Sequence, residues 1–108
     1  MSISVILPEN SCSAVLQGKL EAALDGIPHA FSADMEHLTS RRLLFAVALD
    51  ACGGNEGYYR ILCRLRGNPH LLEGCTAALV VTGQGELYTK SIARTLALSA
   101  NMAGCAFI

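Results

Sequence analysis

The sequence predicts an α/β protein, with residues 1–108 forming a single-domain three-layer α/β/α sandwich on a parallel, doubly wound sheet. Short apolar or β-branched runs alternate with stretches of helical periodicity along the whole chain. The helical stretches are long enough to act as right-handed crossovers between parallel strands. Three of the strand-like runs end in polar or glycine-bearing loops, the usual place for a ligand edge in such sheets.

Each element follows from local pattern. Ile3-Ser4-Val5-Ile6-Leu7 is short and β-branched and is closed by Pro8, so it reads as a first strand. After the polar loop from Glu9 to Ser13, Leu16, Leu20, Ala23 and Leu24 recur at helical spacing opposite Gln17, Glu21 and Asp25. Gly26 and Pro28 end that helix. His29 to Ala33 reads as a strand chiefly from its position, and Asp34 to Ser40 has room for one or two helical turns with Asp34 as cap.

Arg42 to Leu49 is a near-continuous apolar run, as expected of a central strand buried on both faces. The glycine loop Ala51 to Gly57 opens into a helical stripe of Tyr58, Ile61, Leu62 and Leu65, with Arg60 and Arg64 one turn apart on the other face. Gly67 and Pro69 stop it. Thr76 to Thr82 is a strand, and Thr82-Gly83-Gln84-Gly85-Glu86 turns it into a helix running from about Glu86 to Met102. Ile92, Ala93, Leu96, Ala97, Ala100 and Ala103 make its buried face, and Gly104 ends it. Cys105 to Ile108 begins a fifth strand with no residues following to form a final helix, which reads as a truncated chain or an edge covered by a partner.

Composition narrows the partners. Hydrophobic residues make up 52% and charged residues 16%, an apolar balance for a small domain that predicts a homo-oligomer, dimer or tetramer, covering part of the surface. A net charge of −1 gives no reason to expect nucleic acid or membrane, and the start lacks a basic signal-peptide region, so the expected location is cytoplasmic. Five cysteines without a C-x-x-C pair argue against a zinc site or a disulfide framework. Cys63, Cys75 and Cys105 read as small core residues, whereas Cys12 and Cys52 fall just past strand ends.

Parallel strands deliver the loops Asn10 to Ser13, Ala51 to Gly57 and Thr82 to Glu86 to one edge, where they would frame one crevice. Candidate binding residues are Asn10, Ser11 and Ser13 for a phosphate, and Gly53, Gly54, Asn55, Thr82, Gly83, Gln84 and Gly85 where backbone can approach a flat ring. The bland alternative is that these glycines only turn the chain. Tyr58 and Tyr59 read as helix-face packing, with the alternative that one flanks a flat ring, and His29, His37 and His70 have no ligand-like spacing. Asp50 is no receiver-type phosphoacceptor, because the first strand lacks the acidic pair that would hold magnesium. Cys12 is no phosphatase nucleophile either, because Gly18 and Lys19 stand where a Cys-x5-Arg loop needs arginine.

On these loops the chain resembles the flavodoxin-like superfamily, and within it the NAD(P)H-dependent flavin mononucleotide (FMN) reductases. Asn10-Ser11-Cys12-Ser13 matches their phosphate loop by position, while Gly53-Gly54-Asn55-Glu56-Gly57-Tyr58 and Thr82-Gly83-Gln84-Gly85-Glu86 resemble the loops that hold the isoalloxazine ring. The resemblance implies an FMN-binding oxidoreductase moving hydride or electrons between NAD(P)H, as co-substrate, and a small acceptor such as a quinone. The first loop lacks the reductases' Gly-Ser-x-Arg-x-x-Ser pattern. That departure keeps open a non-catalytic flavodoxin-like oligomerisation module that has lost flavin phosphate binding.

Overall fold

The computed structural model describes residues 2–8, 10, 12–33, 41–49, 55–68, 70–83 and 86–107. The elements are β1 (Ile3–Ile6), α1 (Ser13–Ala23), β2 (His29–Ser32), β3 (Arg42–Ala48), α2 (Glu56–Gly67), β4 (Thr76–Thr82), α3 (Glu86–Met102) and β5 (Ala106–Phe107). All strands pair in parallel in the order β2-β1-β3-β4-β5. The expected doubly wound sheet is therefore present, and its winding reverses between β1 and β3. The short helical segment expected over Asp34 to Ser40 lies outside the described residues.

Alternation along the strands divides the core. On one face Leu43, Phe45 and Val47 of β3 meet Tyr58, Ile61, Leu62 and Leu65 of α2 and Leu96 and Ala100 of α3. On the other face Val5, Ala46 and Ala48 pack under Leu16 and Leu20 of α1. Among the described residues two helices thus cover one side and a single helix the other. Strand β3, in the middle of the sheet, has buried residues on both faces, as a central parallel strand requires.

Helix bounds follow their caps. The Asn55 side chain accepts from the Tyr58 N–H at 3.1 Å, so α2 begins at Glu56, and Glu56 and Gly57 belong to the helix rather than to the preceding loop. Gly26, Gly74 and Gly104 hold positive φ at turns. At Gly104 (φ +99) a Cβ would also lie 2.8 Å from the Glu73 Cα, so this residue ends α3 and lets its C-terminus close on the turn before β4.

Cys75 and Cys105 are buried, but Cys63 is exposed, contrary to the expectation of a core position. Its phase on α2 places it between Arg60 and Arg66, opposite the buried stripe of Tyr58, Ile61, Leu62 and Leu65. Ala23 is likewise exposed at the end of α1 instead of buried. Among the described residues no helix is long and apolar enough to cross a membrane.

Candidate functional site

Parallel pairing brings the C-terminal ends of β1, β3 and β4 to one edge, on either side of the point where the winding reverses. The loops leaving β1 and β3 are joined through one backbone oxygen. The Asn10 amide donates to the Ala48 carbonyl at 2.6 Å, and the Asn55 amide donates to the same carbonyl at 2.9 Å. Asn55 reaches further to the Pro8 carbonyl at 3.3 Å. One side chain thus caps α2 and ties the end of β3 to the end of β1.

Packing tightens the same junction. A Cβ on Gly57 would sit 2.7 Å from the Pro8 Cβ, so glycine lets the first turn of α2 close on the loop after β1. A Cβ on Gly83 would sit 2.6 Å from the Leu49 Cβ. Gly83 therefore allows the loop after β4 to lie against the end of β3, where Leu49 N–H donates to the Thr82 carbonyl at 2.8 Å. These glycines have a packing duty whatever they bind.

In the loop after β1 the described residues Asn10, Cys12 and Ser13 bond to one another. Asn10 Oδ1 accepts from the Cys12 N–H at 2.9 Å, closing an Asx turn. Ser13 Oγ donates to the Asn10 carbonyl at 2.9 Å and accepts from the Asn10 N–H at 3.1 Å. Ser13 is buried, and Cys12 stands at the N-cap of α1 without a side-chain cap bond. The helix N-terminus and its partial positive charge nevertheless open on the crevice edge.

Of the candidate residues, Asn10, Ser13, Asn55, Thr82 and Gly83 lie together at this edge. Ser11, Gly53, Gly54, Gln84 and Gly85, with Cys52 and Asp50, lie outside the described residues. Sequence spacing did not reveal the Ala48 carbonyl as the meeting point or the closeness of Pro8 to Gly57. The one local signal was the N-cap preference of asparagine ahead of a helical stripe.

Tyr58 is buried, and its hydroxyl donates to the Ile92 carbonyl at 3.2 Å, bracing α2 against α3. Burial, with a smaller contribution from neighbouring Tyr59, raises its pKa. Tyr59 stays exposed beside it. A separate pocket of about 120 Å³ between α1 and the ends of β1 and β2 is lined by Leu7, Gln17, Phe31, Ser32 and Ala33. That is below the size of a usual cofactor site, roughly 300 Å³ or more.

No known sequence family and no curated protein matches the chain. Among solved structures it is similar to a short-chain flavodoxin associated with a non-canonical PDU bacterial microcompartment, with a TM-score of 0.66 at 12% identity. The match covers 99% of this chain and 78% of that one. With the parallel five-stranded sheet in the order β2-β1-β3-β4-β5, it establishes the fold: the chain is a flavodoxin-like α/β domain.

Proposed function

We propose that the domain binds FMN at the crevice between the β1, β3 and β4 loops and serves as an oxidoreductase between NAD(P)H and a small acceptor such as a quinone. The observation that carries this reading is the convergence of Asn10 and Asn55 on the Ala48 carbonyl at the reversal point of a flavodoxin-like sheet. Such a crevice is where open α/β sheets take nucleotides.

The residues present fit the group in part. Backbone at Thr82 and Gly83, drawn in against Leu49, and the fixed start of α2 at Asn55 suit the edge of a flat ring. The N-terminus of the 11-residue α1 supplies amides and dipole for the phosphate, while no described residue of the preceding loop supplies a cation. Bound flavin would supply the two-electron redox chemistry; the protein's part is to orient the ring and exclude water from one side. In a second reading the module does not hold phosphate at all, and the mutual engagement of Asn10 and Ser13 favours it.

Titration of the purified protein with FMN separates the two. Binding should appear as quenching of flavin fluorescence and a resolved visible band. Thr82→Glu, at an exposed position, should weaken it about tenfold or more by setting a carboxylate near an anionic ligand. No quenching with the unaltered protein sinks the flavin proposal and leaves the second reading.

A further inference from the structure

We infer that the outward face of α2 and α3 is a docking surface for a protein partner that presents carboxylates around apolar side chains. The two helices lie on the same side of the sheet, and their inner faces meet in one core. In sequence the two helices carry five cations, Arg60, Arg64, Arg66, Lys90 and Arg94, all exposed, against two acids, Glu56 and Glu86. These helices therefore hold a surplus of three positive charges in a chain whose net charge is −1, and the remaining segments are net negative. A partner meeting these helices meets five exposed cations.

Three of the five exposed large hydrophobics among the described residues lie on these helices, the other two being Val15 and Ile27. Tyr59 is 54% exposed, Leu98 57% and Met102 76%. On α3 the positions Lys90, Arg94, Leu98 and Met102 follow one another at four-residue steps, so a single ridge runs from cationic to apolar. Arginine, tyrosine and methionine are the residue types that interface cores favour. A solvated face would need the cations but not the uncovered Leu98 and Met102.

The mixture also selects the class of partner. A nucleic acid rewards closely spaced cations along a track and gains nothing from Leu98 or Met102, and the net negative remainder of the chain repels a long polyanion. Membrane binding needs a continuous apolar sector on a helix, whereas here apolar residues are interleaved with arginines on two helices. Carboxylates flanking an apolar anchor complement both parts. The face begins within two turns of the crevice, at Tyr59 and Lys90, so a docked partner would stand beside the ligand edge. The inference rests on charge and exposure and holds whether or not flavin binds.

The test uses a 20-residue helical peptide of glutamate and leucine, with amide chemical shifts of the whole protein as the readout. Shifts should map to Tyr59 through Arg66 and Lys90 through Met102. Affinity should fall about tenfold or more in Arg60→Glu/Arg94→Glu and between low and physiological salt, and several-fold in Leu98→Ser. Circular dichroism on these surface variants checks that the fold is kept. Absent binding, shifts on another face, or affinity indifferent to the charge reversal overturns the inference. So does equal affinity for a leucine-free glutamate peptide, or tighter binding through the same residues to a 20-nucleotide DNA or to phosphatidylserine vesicles.

Discussion

Asn55 concentrates several duties in one amide. It is 2% exposed, caps α2 through Oδ1, and donates from Nδ2 to the carbonyls of Ala48 and Pro8. Asn55→Ala removes the cap and leaves buried backbone groups with fewer partners, which should cost about 2 to 3 kcal/mol in urea unfolding. Asn55→Asp keeps the cap acceptor but sets a carboxylate against two carbonyl oxygens, so it should recover little of the loss. Recovery to the level of the unaltered protein would show that the carbonyl contacts contribute nothing. Sequence reading placed Asn55 in a ligand loop but did not see these contacts, because its partners lie 7 and 47 residues away. Cys63 shows a different limit: the general tendency of cysteine to be buried points inward, whereas its helix phase groups it with Arg60 on the exposed face.

At the scale of elements, β4 and α3 have the bounds their patterns predict, Thr76–Thr82 and Glu86–Met102. Both are long, strongly patterned and bounded by glycine, which is where periodicity is most informative. The β4–α3 junction is constrained by space rather than by φ, because Gly83 lacks a positive φ yet has no room for a Cβ beside Leu49. Gly83→Ala should therefore destabilise the domain by about 1 to 3 kcal/mol, through overpacking at the β3 and β4 ends. Thermal unfolding checks this, and an unchanged melting temperature would mean that the junction yields freely. Gly83→Val could not isolate ligand binding, since any loss would mix with damage to the strand ends.

For the whole molecule, parallel pairing and layering were legible because alternating elements and right-handed crossovers leave few arrangements, whereas the order β2-β1-β3-β4-β5 is seen only in the structure. The crevice was legible as an edge but not as a set of contacts, since its ties run between main chain and distant amides. Global stability carries a further signature from Cys105. Burial, with a smaller contribution from Cys75, pushes its thiol from 9.0 up to about 11. The unfolded chain therefore releases this proton first, and the stability present below about pH 9 is lost as pH rises towards 11. Urea midpoints measured across that window should decline, and Cys105→Ala should flatten part of the slope. An identical slope in the variant would assign the decline to other groups.

The shared oxygen at the end of β3 has one more consequence. Ala48 contributes its main-chain carbonyl to Asn10 and Asn55, so no side-chain replacement at position 48 deletes the acceptor. The junction is robust at its hub and vulnerable at its two spokes. Changes at Asn10 and Asn55 should be non-additive, because losing one amide alters the hydrogen bonding left to the other. The first and second loops are thus linked in how their sequences can diverge, although 38 residues separate Asn10 from Ala48.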